Sequence, residues 1–266
     1  MSIKLSELLQ PVISLTESAS TEILKFYNSE LAVSKKDDNT PVTEADIAAH
    51  DVIVEGLTQL TPDIPILSEE DISVGYEERR AWKTYWLVDP LDGTREFIKR
   101  NGEFTINIAL IKDQKSIFGV IYVPVSGTCY YASEGLGAFK IAKNSEAEKI
   151  SVRKAPVSSF HVAGSRSHLD TSIDDFLDKL GNYELTKMGS SLKSCLVAEG
   201  QVDIYPRLGP TSEWDTAAAQ CIVEEAGGFI TTLDLEPLRY NTKESLLNPH
   251  FLVFGDKNIN WSSYIK

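Results

Sequence analysis

Cysteine is scarce: Cys129, Cys195 and Cys221 are the only three among 266 residues. They are widely spaced and odd in number, with no C-x-x-C pair and no zinc-ligand spacing, which excludes a disulfide framework and predicts a reducing compartment. Long apolar runs are also missing. Nothing approaches the ~20 apolar residues of a membrane span, and the stretch MSIKLSELLQPVISL, punctuated by Glu7 and Pro11, holds no apolar run of signal-peptide length. The cytoplasm is therefore the expected location. Positive charge is in deficit, with 26 Lys plus Arg against 39 Asp plus Glu and a formal net charge of −13. That balance argues against a nucleic-acid partner or attraction to an anionic membrane, so any anionic ligand has to be held by local groups. Internal repeats and low-complexity tracts are absent as well.

What is there is an ordinary globular composition, 42% hydrophobic and 24% charged. The length fits one large domain or two fused halves. Residues 4–28 read as an amphipathic helix interrupted early by Pro11, and 34–42 as a polar loop. A second helix follows, with Ile47, Ile53, Val54, Leu57 and Leu60 near a 3.6 period. The period then changes: Phe104, Ile106, Ile108 and Leu110 alternate with Thr105, Asn107 and Ala109, and Ile117–Val123 begins another strand after a polar turn, which predicts an antiparallel hairpin. The acidic and Lys-rich stretch 143–158 reads as a seam between an α+β half (1–158) and an α/β half (159–266). Beyond it the pattern predicts a strand at 161–164, helices at 170–180 and 190–199, a strand at 203–205 and a helix at 215–226.

The most informative stretch is Trp86-Leu-Val-Asp89-Pro-Leu-Asp92-Gly-Thr94, an apolar strand running into a turn with two carboxylates three residues apart. Pro90 bars a regular ladder hydrogen bond and Gly93 permits a backbone geometry closed to other residues, so the acids project from the strand's carboxyl end. Upstream, Glu69-Glu70-Asp71 follows another short apolar run. Asp215 opens a predicted helix after a Gly- and Pro-containing turn. Converging carboxylates repel one another and lose hydration, which makes sense chiefly around a cation. With hard oxygen ligands only, Mg2+ or Mn2+ is the natural ion, and phosphoryl chemistry its usual use.

Each signal has an ordinary structural counterpart. A D-x-x-D turn is most often solvated, Asp215 reads equally as a helix cap, and Glu69-Glu70-Asp71 as a solvated acidic face. Thr43-Glu-Ala-Asp46 is a capping-box variant; its functional alternative has Asp46 accepting a hydrogen bond from Thr94, which makes Thr94 a better acceptor for the proton of an attacking water.

Asp89-Pro-Leu-Asp-Gly-Thr94, with Ser68-Glu-Glu70 upstream and Trp214-Asp-Thr-Ala217 downstream, resembles the inositol monophosphatase superfamily of Mg2+-dependent, lithium-sensitive phosphatases. More narrowly, Arg95-Glu-Phe-Ile, Gly164-Ser-Arg-Ser-His168, Gly189-Ser-Ser-Leu-Lys193 and Tyr205-Pro-Arg207 resemble the 3′(2′),5′-bisphosphate nucleotidases of the bacterial CysQ type. The resemblance implies a layered αβαβα sandwich with its metal site at the junction of the halves. It implies two or three Mg2+ ions, replaceable by Mn2+, on Glu69, Asp89, the main-chain carbonyl of Leu91, Asp92 and Asp215. Asp46, Thr94 and Glu69 would be catalytic. The implied substrate is 3′-phosphoadenosine 5′-phosphate, cleaved to AMP and phosphate, with the 5′-phosphosulfate as a second one, which places the reaction in sulfur metabolism. Relatives of this type are described as peripheral on the cytoplasmic face of the inner membrane, although no basic patch here gives a reason for it.

Candidate substrate contacts, besides Glu69, Leu91, Asp92, Gly93, Thr94 and Asp215, are Gly189 and Ser190 at a helix start with Lys193 one turn in, together with Ser165, Arg166, His168 and Arg207. As an N-cap, surface charges or a helix-start residue these are equally unremarkable. Two competing readings stand beside the nucleotidase: an inositol- or sugar-phosphate phosphatase on the same metal core, and a non-catalytic nucleotide- or metal-binding protein. The oligomeric state is not legible.

Overall fold

Leu8, Val12, Ile13, Ala19 and Ile23 recur at helical spacing and give α1 (Leu5–Tyr27) a single buried stripe; Ala45, Ala49, Ile53 and Leu57 do the same for α2 (Glu44–Leu60). The computed structural model describes residues 4–27, 33–35, 41–156, 159–166 and 173–265. Pro11 does not interrupt α1. Pro11 and Glu7 are both exposed, so water replaces the hydrogen bond that the ring eliminates. Ile47, expected on the buried face of α2, is exposed, and Ala45 and Ala49 take that face instead. The ends of the expected 34–42 loop pair as two short antiparallel strands, β1 (Val33–Lys35) and β2 (Pro41–Thr43); residues 36–40 lie outside the described residues.

A seven-stranded sheet follows, in spatial order β3 (Ile66–Ser68), β4 (Thr84–Asp92), β5 (Thr105–Lys112), β6 (Lys115–Val123), β7 (Thr128–Ser133), β8 (Gly137–Ile141) and β9 (Ala147–Ile150). The predicted hairpin is β5–β6, closed by Asp113 and Gln114, both at positive φ, as a two-residue primed turn requires. Two short helices, α3 (Tyr76–Arg79) and α4 (Thr94–Ile98), flank β4. Part of the 143–158 stretch is a strand of this sheet. Ala147–Ile150 is the edge strand of this sheet, and its exposed charges are what an unpaired edge favours.

The second sheet has the order β11 (Tyr183–Met188), β10 (Phe160–Ser165), β12 (Ile204–Arg207), β14 (Phe251–Phe254), β13 (Phe229–Thr232). Its helices are α5 (Asp174–Leu180), α6 (Leu192–Ala198) and α7 (Glu213–Glu225), and a 3-10 turn spans Trp261–Tyr264. Strands β11, β13 and β14 have no counterpart in the pattern reading. β11 is exposed along nearly its whole length, so it carries no inward face to detect.

Three apolar clusters separate five layers. α1 and α2 cover one face of the first sheet through Trp86, Val88, Ile106, Ile108 and Phe118. α6 and α7 fill the space between the sheets against Tyr85, Leu87, Ala109, Tyr205 and Phe251. α5 and the terminal turn close the far face around Phe160, Phe176 and Trp261. The fold is a layered αβαβα sandwich.

Candidate active site

Strand parity decides which way the first carboxylate points. Trp86 and Val88 face α1 and α2, whereas Tyr85 and Leu87 face α7, so Asp89 falls on the α7 side. There the ladder breaks: Asp89 pairs with Asn107 and Asp92 with Thr105, a bulge that absorbs Pro90. Gly93, at φ 94°, turns the chain into α4, which Thr94 opens. Glu69 follows β3, its N–H donating to the Val88 carbonyl at 3.1 Å. Asp215 stands in the first turn of α7, close beneath the sheet.

One carboxylate oxygen from each of Glu69, Asp89 and Asp215 lies within 4.8 Å of the other two. Asp89 is buried, and its Oδ1 accepts the Leu91 N–H at 3.1 Å. Its Oδ2 is buried with no hydrogen-bond partner among the described residues. Burial pushes the Asp89 carboxyl well above the usual carboxylate range, reinforced by the charges of Glu69, Asp92, Asp215 and Asp46. Asp215 is raised in the same way by burial and by Asp92 and Glu69. An orphaned anionic oxygen inside a knot of hard oxygen donors fits a divalent cation and is costly without one.

Asp215 is also a cap. The Ser212 N–H donates to its Oδ2 at 2.8 Å, so the cap and a member of the carboxylate cluster are one side chain. Asp46 is buried in the first turn of α2, near enough for its charge to act on Asp89. Leu91 points its side chain into the α1–α2 layer.

The acids border a cavity of about 390 Å3. Glu69, Asp92, Gly93, Thr94 and Asp215 line its wall. Ser165, Arg166, Lys193 and Arg207 line the same cavity. Arg207 is braced by Nε to Thr211 Oγ1 at 2.7 Å and Nη1 to Ser165 Oγ at 3.1 Å. Arg166 donates from Nε to Glu103 at 2.6 Å and from Nη2 to the Lys187 carbonyl at 2.7 Å. Lys193 is buried, its Nζ directed at the carbonyls of Ser190 and Met188, and burial lowers its pKa to about 8. The Gly189–Ser191 turn lines the cavity, and two of its main-chain donors are engaged: Gly189 N–H with Glu103 at 2.8 Å and Ser191 N–H with Asp92 at 2.7 Å. His168 lies outside the described residues.

Pattern reading missed Glu103, Asn107 and Ser191. A carboxamide at Asn107, midway along a strand buried on both faces, was the one available signal. Residues 134–136 form the turn between β7 and β8. All three cysteines are buried and unpaired, and burial pushes each thiol up.

The inositol monophosphatase family model matches residues 4–257. The chain is 50% identical to the 3′(2′),5′-bisphosphate nucleotidase CysQ of Salmonella typhimurium over 250 residues, covering 92% of this chain and 99% of that protein. It is 41% identical to the enzyme of the same name from Aggregatibacter actinomycetemcomitans over 98% of this chain and 97% of that one. The crystal structure of CysQ from Bacteroides thetaiotaomicron, described as a bacterial member of the inositol monophosphatase family, superposes with a TM-score of 0.79 at 42% identity, covering 94% of this chain and 97% of that one. The Thermotoga maritima IMPase shares the fold at the same TM-score and 24% identity, over 97% and 96% of the two chains. The chain belongs to the inositol monophosphatase family.

Proposed function

We propose that the chain is a 3′(2′),5′-bisphosphate nucleotidase that releases the 3′-phosphate of 3′-phosphoadenosine 5′-phosphate to give AMP and phosphate, with the 5′-phosphosulfate as a second substrate. The observation that carries this reading is the mixed-charge cavity. Glu69, Asp92 and Asp215 line it together with Arg166, Arg207 and Lys193, a match for a ligand that carries one phosphate to be cleaved at the acidic cluster and another to be held by cations. Identity of about half to proteins named as bisphosphate nucleotidases supports the same substrate.

Glu69, Asp89, the Leu91 carbonyl, Asp92 and Asp215 would hold two or three Mg2+ ions, or Mn2+ in their place, which supply neutralisation of the phosphoryl charge and acidify the attacking water. Thr94 would accept that water's proton while passing its own to Asp46, the water oxygen bonding to phosphorus as the P–O3′ bond breaks and the departing ribose oxygen taking a proton from a second, solvent water. Arg166, Arg207 and Lys193 orient the remote phosphate. Three buried thiols with raised pKa offer no thiolate, in keeping with direct attack by water. Unpaired thiols also support a cytoplasmic setting. Among the described residues no helix is long and apolar enough to cross a membrane.

Phosphate release from 3′-phosphoadenosine 5′-phosphate, inositol 1-phosphate and fructose 1,6-bisphosphate, measured in parallel with Mg2+, tests the reading. The nucleotide is expected to be the preferred substrate, with inhibition by lithium. Preference for inositol 1-phosphate would overturn the substrate assignment, and no turnover of any of the three would overturn the enzyme assignment.

A further inference from the structure

Four hydrogen bonds from the described residues reach the Asp92 carboxylate, and all of them end on Oδ2. Ser190 Oγ donates at 2.6 Å, Ser191 N at 2.7 Å, Ser191 Oγ at 2.8 Å and Asn107 Nδ2 at 3.5 Å. That oxygen is saturated, which leaves Oδ1 as the one to meet a cation. The supporting side chains form a chain across the two halves of the molecule. Thr105 Oγ1 donates to Asn107 Oδ1 at 2.9 Å, and Asn107 Nδ2 donates to Ser191 Oγ at 3.0 Å. Ser191 Oγ has one hydrogen and two acceptors ahead of it: Asp92 Oδ2, and the main-chain oxygen of Asp215 at 2.9 Å. Because Asn107 fills a lone pair on its other side, that hydrogen can only point toward these two. Asn107 is 1% exposed and away from the cavity, so its amide has no water as an alternative partner, and Ser191, 6% exposed, sits at the cavity wall.

We propose that Asn107 and Ser191 are positioning residues for the cation site: they lock the Asp92 carboxylate, on β4 of the first half, against the first turn of α7, which carries Asp215 from the second. The proposal rests on the reading of the acidic cluster as a divalent-cation site and adds to it the groups that set its geometry. Groups that orient a ligand without touching the metal typically change affinity by 10–100-fold when removed.

Titration of the full chain with Mn2+, followed by loss of the free-ion electron paramagnetic resonance signal, tests this without turnover. Relative to wild type, Ser191→Ala is expected to weaken Mn2+ binding about tenfold, and Ser191→Thr, which keeps the hydroxyl, to stay within about threefold. In parallel assays the Ser191→Ala variant should need more metal for half-maximal rate yet recover its kcat at saturation, a split that a merely loosened fold would not produce. Asn107→Ser, which shortens the donor, is expected to follow Ser191→Ala, and it decides the matter alone if Ser191→Ala does not fold. Mn2+ binding within about twofold of wild type in the folded variants would overturn the proposal. If wild type binds no Mn2+, or Asp89→Asn binds it as wild type does, the cation reading itself falls and this proposal with it.

Discussion

Gly119 on β6 lies so close to Ala218 on α7 that a Cβ added to the glycine would come within 2.3 Å of the Ala218 carbonyl oxygen. The helix that carries Asp215 is thus seated directly on the sheet that carries Asp89, and the distance between the two acids depends on a missing methyl group. Ser116 Oγ fixes the same helix by donating to the Ala217 carbonyl at 2.6 Å. Gly119→Ala is expected to cost about 1–3 kcal/mol through overpacking and to lower activity by lifting Asp215 away from its partners. Urea unfolding and Mg2+-dependent phosphate release check both parts; an unchanged variant would show that the seat is not tight.

Removing a repelling charge should separate activity from stability. The amide of Asp89→Asn can still accept the Leu91 N–H and can donate toward Glu69 and Asp215. Thermal unfolding without metal is expected to shift upward by several degrees while turnover is abolished. A variant that is both less stable and inactive would point to a structural role for Asp89 instead.

Metal and proton compete for the same oxygens. Asp89 and Asp215 have raised pKa values in the folded chain, so the native state binds more protons than the unfolded one at pH values above the ordinary carboxylate pKa of about 3.9. Metal-free stability therefore falls as pH rises through that window. The increase in melting temperature on adding Mg2+ should accordingly be larger at pH 8 than at pH 5. Equal increments at both values would contradict the coupling.

Lys193, in the same cavity, gives a second pH signature. With its pKa lowered to about 8, the ammonium is charged near neutrality and mostly neutral by about pH 9. KM for the bisphosphate should rise above pH 8, and Lys193→Arg, whose guanidinium stays charged, should remove that rise. A KM that stays flat through this range in the wild type would remove Lys193 from substrate binding.

The fold and the acid ligands differ in how legible they were from residues. Alternation at Phe104–Leu110 marked β5 because one face packs on α1 and α2, and Asp89 through Gly93 announced a strand end because Pro restricts the backbone and Gly permits a turn closed to other residues. Asp215 remained ambiguous because one side chain both caps α7 and joins the carboxylate cluster. Pro11 misled because an exposed helix face tolerates the lost hydrogen bond. The strand at Ala147–Ile150 was hidden by its charges, which belong to a sheet edge as readily as to a linker. Glu103 and Ser191 were invisible since their partners, Arg166 and Asp92, lie far away in sequence, and only the folded chain brings the two halves together.

Crystals soaked in Mn2+ and measured for anomalous scattering test the cation site most directly. The prediction is a strong peak bounded by carboxylate oxygens of Glu69, Asp89 and Asp215, with Asp92 turned toward it through Oδ1. Those four side chains well ordered in saturating Mn2+, with no anomalous signal among them, would contradict it.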